Sequence, residues 1–215
     1  RRVSCPEGKG VKACGILFIC VLQSCAFSQG AIPVPAQEGK PCVPVTLKRE
    51  INNLIRDLGS NLYNIRECAV EELAKIGEPV IEPLIKALGN QAIRYDAIEV
   101  FVRIGKPAVK PLIRTLGEGN VNARIAAVHA LGRIKDITAL KPLLALLGDK
   151  DWEVRAATAW ALGDLGSEKA AEPLIKMLKD DSAEVRAYTA VSFGKLRHPR
   201  FMELLVNMPV SYTHL

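Results

Sequence analysis

Aromatic side chains are scarce, at 5% of the 215 residues, while Leu, Ile, Val and Ala are abundant. The strands of a β-sandwich draw on aromatic and β-branched residues, so this balance argues against one and favours packed helices. Histidine is scarcer still: the chain holds three, and a histidine-rich metal site is improbable with so few. No Gly-x-Ser-x-Gly, P-loop or dinucleotide fingerprint is present, which removes the commonest routes to acyl transfer, nucleotide hydrolysis and hydride transfer. We expect no cofactor and no metal. The main apolar run, Ala13 to Leu22, reaches only about half the ~20 residues a membrane-spanning helix needs.

What is present is helical material with a modest charge excess. Hydrophobic residues make up 49% and charged ones 24% of the chain, with a net charge of +6. Arg1, Arg2, Lys9, Lys12 and Glu7 belong to the first segment; without them the excess is about +3, too mild to argue for nucleic acid.

A phrase of Pro-Leu-aliphatic-x-x-Leu recurs at Pro83–Leu88, Pro111–Leu116, Pro142–Leu147 and Pro173–Leu178, at spacings of 28, 31 and 31. Asn53–Leu58 is an earlier copy without proline, and Glu203-Leu204-Leu205 begins a later one. Between copies stands a second phrase, an aliphatic residue or Ala followed by Arg66, Arg94, Arg124, Arg155 or Arg186. Three residues after each Arg comes a small residue, seven after it a large apolar one (Leu73, Phe101, Leu131, Leu162, Phe193), and ten after it Ile or Leu. These spacings follow the helical period. Asn90, Asn120, Asp151 and Ser182, four residues before the Arg, are expected helix N-caps. Gly89, Gly117 and Gly148 after the first helix, and Gly77, Gly105 and Gly166 after the second, are expected at left-handed helix ends. Pro83, Pro111, Pro142 and Pro173 are expected near the first turn of the first helix, where a missing N–H does least harm. Each unit thus reads as helix, turn, helix, loop, and a lone hairpin cannot bury its apolar face without neighbours.

From roughly residue 46 to 208 these phrases resemble HEAT-like repeats of the phycobilisome-lyase type. The resemblance implies an all-α, right-handed α-solenoid of antiparallel helix pairs with units 46–76, 77–104, 105–134, 135–165 and 166–196 and a partial unit 197–208. It also implies that the second helices line the concave side. It says little about function, because such arrays serve unrelated tasks.

In the second helices, positions one, five and nine after the Arg share a face. The face predicts a groove formed by Tyr95, Glu99, Arg103, His129, Arg133, Trp160 and Asp164. Mixed charge around an aromatic centre suits a protein or peptide partner, since Trp, Tyr and Arg anchor interfaces; a solvated face without a ligand is the plainer alternative. Trp160 can equally be read as core. Trp152, beside the cap Asp151, reads as a loop residue over an inter-repeat seam. The Arg ladder, Arg66, Arg94, Arg124, Arg155 and Arg186, is tempting as an anion site, but its regularity favours bonds to loop acids and carbonyls near Asp149, Asp151, Asp180 and Asp181.

Enzymes of this repeat class are weighed by their motifs. Deoxyhypusine hydroxylases carry His-Glu pairs that bind iron, whereas here His129 precedes Ala130 and His198 precedes Pro199. Bilin lyases hold a tetrapyrrole in the concave cavity and are the serious enzymatic alternative. HEAT-like DNA glycosylases use a basic concave face, which Glu71, Glu99 and Asp164 interrupt here. Cys68 and His129 lie two units apart, roughly 20 Å at about 10 Å per stacked hairpin, too far for a Cys–His pair.

Basic residues, the apolar run and then small polar residues from Gln23 to Gln29 form the order of an export signal, read here as residues 1–28 with Val11 a candidate start. Cleavage after Ser28 releases Gln29; alternatively Leu22-Gln23-Ser24-Cys25, an imperfect lipobox, places a lipid anchor on Cys25. Residues 29–45 read as a Pro-rich linker. Cys42 and Cys68 lie beyond the cleaved segment and are either a disulfide pinning that linker to the first unit or two free thiols. Residues 209–215 resemble translated sequencing adaptor. The chain is expected to be exported, without a transmembrane helix.

Overall fold

A computed structural model of the chain describes residues 45–196. The expected export signal, lipid anchor, partial sixth unit and terminal tail lie outside the described residues, as does the expected linker up to residue 44; Val45, read as its last residue, instead begins the first helix. Between Val45 and Leu196 the structure is helical, with no strand among the described residues. Ten α-helices follow in order: α1 (Val45–Asp57), α2 (Tyr63–Ile76), α3 (Ile81–Ala87), α4 (Arg94–Ile104), α5 (Lys106–Glu118), α6 (Val121–Ile134), α7 (Leu140–Leu146), α8 (Trp152–Leu165), α9 (Ala171–Met177) and α10 (Ala183–Leu196). They pair as five hairpins. Each even helix packs on the even helices before and after it, and the odd helices stack along the other side, giving an α-solenoid.

The repeated apolar positions make one continuous core. Leu84, Leu112, Leu143 and Leu174, the leucines after the repeated prolines, are fully buried. So are Leu73, Phe101, Leu131, Leu162 and Phe193, seven residues after each Arg. The small residues at position three sit where neighbouring hairpins meet. Thr158 and Thr189 are buried there, and each hydroxyl donates to the carbonyl four residues back, Val154 O and Val185 O, at 2.7 Å, so neither is left unsatisfied. Helix α8 buries eight of its fourteen residues, because it is flanked on two sides by other helices and needs small apolar residues towards both.

Punctuation follows the sequence in part. Asn120 Oδ1 accepts from Ala123 N at 2.8 Å, Asp151 Oδ1 from Glu153 N at 2.9 Å and Ser182 Oγ from Val185 N at 3.3 Å. Asn90 Oδ1 caps a 3-10 turn, Gln91–Ile93, through Ala92 N. The expectation for glycine needs correction. Gly77, Gly105 and Gly166 have φ of 73–75°, but Gly89, Gly117 and Gly148 do not adopt a positive φ. The turns at Gly89 and Gly148 close with i→i+3 bonds such as Asn90 N to Ala87 O and Asp149 N to Leu146 O, which need no left-handed residue. Gly117 lies inside α5. At the end of α6 the left-handed position is filled by Lys135, φ 60°.

The prolines show why one unit differs. Three prolines stand third in α3, α7 and α9, each helix entered through a 3-10 turn. Helix α5 instead starts at Lys106 with Pro107 in its first turn, carries Pro111 inside and runs unbroken to Glu118.

No helix among the described residues is long and apolar enough to cross a membrane.

Candidate functional site

The even helices enclose a groove of about 850 Å³ that spans the described units. Position one after the Arg contributes Glu67, Tyr95, Ile125 and Ala156; position five, Glu99, His129 and Trp160; position nine, Arg103 and Arg133. Six of the seven sequence-predicted residues therefore share one surface. Asp164 is not among the lining residues: its Oδ1 accepts a hydrogen bond from Lys195 Nζ of the next hairpin at 2.7 Å.

Two halves differ in chemistry. The first is a chain of alternating charges: Arg103 Nη2 donates to Glu67 Oε1 at 3.1 Å, Arg103 Nε to Glu99 Oε1 at 3.1 Å and Arg133 Nη2 to Glu99 Oε2 at 2.7 Å. The Arg133 hydrogen bond first, then that from Arg103, holds the Glu99 carboxyl below its ordinary range against the opposing effect of burial. Beside them, burial pushes the Asp96 carboxyl up, outweighing the Arg66 guanidinium 3.2 Å away. The second half is aromatic. Trp160 is half-buried, with Tyr188 meeting it edge-on at 6.0 Å. Lys195 Nζ lies 3.1 Å from the centroid of the Trp160 ring, a cation–π contact backed by the Asp164 carboxylate. His129 sits between the halves. Its pKa is lowered, chiefly by burial and further by Arg94, Lys195 and Arg133, against the pull of Asp164.

Trp152 needs correction: it is the first residue of α8, and its half-exposed ring lines the groove rather than closing a seam. Tyr188 was not foreseen, nor were Asp96 and Ala157. All three stand two residues after the Arg, and positions two, five and nine keep the same i, i+3, i+7 spacing as a helix face. The face read from positions one, five and nine was too narrow.

The Arg ladder runs along the loops. Arg66 Nη1 donates to Ser60 O, Arg124 Nη1 to Gly119 O, Arg155 Nη1 to Asp149 O and Arg186 Nη1 to Asp180 O, at 2.8–3.1 Å. Each of these bonds ties the Arg to the turn before its own helix. Three also reach the next unit: Arg66 to Asp96, Arg124 to Asp149 and Arg155 to Asp180. The Arg155–Asp180 pair is bidentate, at 2.8 and 2.9 Å. Arg94 Nη2 meets an amide instead, Asn122 Oδ1, at 2.6 Å.

Among the described residues no three His, Cys, Asp or Glu side chains converge as a metal site would require. Cys68 is disulfide-bonded; the expected pairing with Cys42 falls outside the described residues.

HEAT repeats match residues 81–150, 109–194 and 140–208, and the chain belongs to the HEAT repeat family. A search of curated proteins finds no match. Among solved structures, the complex of CpcE and CpcF of phycocyanin lyase from Nostoc sp. PCC7120 is similar at a TM-score of 0.52 and 23% identity, covering 67% of this chain and 98% of that one. A designed armadillo repeat protein in complex with the peptide (KR)4 is similar at a TM-score of 0.43 and 18% identity, covering 77% and 93%. The first likeness shows the fold, an α-solenoid of helical hairpins.

Proposed function

We propose that this HEAT-repeat chain is a non-catalytic scaffold that holds a protein or peptide partner in the groove of its even helices. The observation that carries the reading is the lining itself. Trp160, Tyr188, Trp152 and Tyr95 stand beside Arg103 and Arg133 on one concave surface, and these are the residue types that dominate binding energy at interfaces. The test is selection of peptides from a random display library on the purified full-length chain, followed by anisotropy titration of the selected sequences. Trp160→Ala and Arg133→Glu are expected to weaken binding by about tenfold or more, the equivalent of ~1.4 kcal/mol, with circular dichroism unchanged. Equal binding by wild type and both variants refutes the assigned surface.

Export belongs to the same reading. The disulfide at Cys68 supports it, since such bonds persist in oxidising compartments. Peptide mapping without reductant, on protein purified from the secreted fraction, tests both points together.

A second reading is favoured by the groove's size. A volume of about 850 Å³ is also that of a large small-molecule site, and Trp160 and Tyr188 give its lining aromatic surface suited to a ligand such as the tetrapyrrole of a bilin lyase. Mixing the chain with a bilin and recording the absorbance decides it: a strong shift replaces the peptide reading. A nucleic-acid role has less support, because Glu67, Glu99 and Asp96 offset the arginines. Steeply salt-dependent DNA binding is the result that would reinstate it.

A further inference from the structure

Arg94 breaks the rule of its own ladder. Of the four ladder arginines whose following unit is described, Arg66, Arg124 and Arg155 each face a carboxylate of that unit, at 3.2, 3.2 and 2.8 Å. Arg94 has only the neutral Asn122 Oδ1 at 2.6 Å; its buried Nε has no hydrogen-bond partner, as is also true of Arg124 Nε, but Arg124 has the Asp149 carboxylate beside it and Arg94 has none. The acid that the register offers is Glu118, six residues before Arg124 as Asp149 is before Arg155 and Asp180 before Arg186. Glu118 is exposed and forms no ion pair among the described residues, because α5 runs unbroken through it instead of releasing it into the loop. The uncompensated guanidinium lies in the groove wall with Tyr95 and His129. Most charges in the groove are already spent on one another, Arg103 and Arg133 on Glu67 and Glu99 and Arg66 on Asp96; Glu153, on the wall formed by the fourth hairpin, is the lining carboxylate without an ion pair among the described residues. A partly buried cation with a neutral partner is a standing demand for an anion.

We propose that the Arg94 wall of the groove receives a carboxylate from its occupant, an extended peptide carrying an Asp or Glu side chain that docks beside His129. This rests on the peptide-binding reading above and narrows it to acidic partners. The groove crosses several units, a length that suits an extended chain better than a lone small acid.

The experiment uses the full chain and three fluorescein-labelled decapeptides, acetylated and amidated at their ends, in which alanine alternates with glutamate, glutamine or lysine. Anisotropy titrations at moderate salt are expected to show the glutamate peptide binding at least about tenfold more tightly than the other two. Arg94→Gln is expected to remove that preference. Asn122→Asp is the sharper variant, since it supplies Arg94 with an internal carboxylate such as Arg66, Arg124 and Arg155 possess. It should keep or raise the melting temperature while lowering affinity for the glutamate peptide by about tenfold, which damage to the fold would not do. Competition with free glutarate should require far higher concentrations than with the unlabelled peptide. Tighter binding of the lysine peptide, wild-type binding by Asn122→Asp, or glutarate competing as well as the peptide would each overturn the proposal. If library-selected peptides bind through Trp160 and Arg133 while the glutamate peptide does not, this inference fails and the scaffold reading survives. If no peptide of any composition binds, both fail.

Discussion

Replacing a glycine by alanine inside a helix should stabilise it by up to ~1 kcal/mol through helix propensity, yet two such replacements here are expected to move stability in opposite directions. Gly132 lies in α6 against α8. A Cβ added there meets Ala161 Cα at 2.7 Å, Ala161 Cβ at 2.8 Å and Ala161 O at 3.0 Å. Carbon atoms rest at about 3.5–4.0 Å, so the two helices must part by about 1 Å, and what blocks them is backbone rather than a side chain that can turn away. Overpacking of this kind costs ~1–3 kcal/mol, which outweighs the propensity gain against an unyielding backbone, and a net loss of up to about 2 kcal/mol is expected. Gly117, near the end of α5, has nothing within 4 Å of an added Cβ and no positive φ, so Gly117→Ala should gain a few tenths to ~1 kcal/mol. Urea unfolding followed by circular dichroism, with unchanged m-values, reads both. The corresponding melting shifts are up to about 8 °C down for Gly132→Ala and up to about 4 °C up for Gly117→Ala. The strain also falls between His129 and Trp160, the neighbours of Gly132 and Ala161 along their helices, so Gly132→Ala should weaken groove binding as well. If both variants gain stability, the close approach of α6 and α8 is not a feature of the folded chain.

The bidentate Arg155–Asp180 pair, with side chains 17% and 9% exposed, should cost about 1–3 kcal/mol when cut by Asp180→Asn. Glu82→Gln, which cuts the shorter but exposed Arg114–Glu82 contact, should change the unfolding free energy from urea titration by less than about 0.5 kcal/mol. Asp180 and Glu99 are held below their ordinary pKa by hydrogen bonds from Arg155 and Arg133. The unfolded chain therefore binds more protons in acid, and the stability these groups contribute is present above pH about 4 and lost as pH falls through their folded values; an acid titration of Asp180→Asn should be the flatter one. His129 titrates the same way for a different reason. Its burial favours the neutral ring, so stability is complete above the ordinary pKa of 6.5 and declines below it as the unfolded state takes up the proton first. His129→Gln should flatten melting temperature against pH just below 6.5, and an unchanged slope would show that the ring is not buried.

Much of the fold could be read directly, since every unit states the same sentence. Leucine after the repeated proline and a polar cap four before the Arg each recur in four units, and a large apolar residue seven after the Arg in all five, which makes chance periodicity untenable. Where reading failed, the cause was local. Gly89 and Gly148 looked like left-handed caps, but a turn of i→i+3 bonds closes without one. Trp152 looked like a loop residue because it follows a cap, yet a residue after the N-cap is already in the helix and on whichever face its phase dictates. Tyr188 was missed because 3.6 residues per turn lets two registers, one-five-nine and two-five-nine, lie on nearly the same side. The Asp164–Lys195–Trp160 cluster joins two hairpins, and no single-unit pattern contains it.

The third hairpin shows why such departures matter. Its first helix lacks the 3-10 entry of its neighbours, carries Pro111 within and continues to Glu118. That one change removes an acid from the loop, leaves Arg94 facing Asn122 and places the odd unit beneath the middle of the groove, where His129 and Arg133 stand. Strict repetition is enough to build a solenoid, because each hairpin needs only the same apolar face as its neighbour. Repetition cannot build a site, because a site needs one position to differ from its equivalents. Local exceptions to an otherwise consistent pattern are therefore where function is to be sought. Here they are His129 and Trp160, which have no equivalent in the other units, and Arg94, whose position recurs but whose partner is the neutral Asn122; one groove brings the three together.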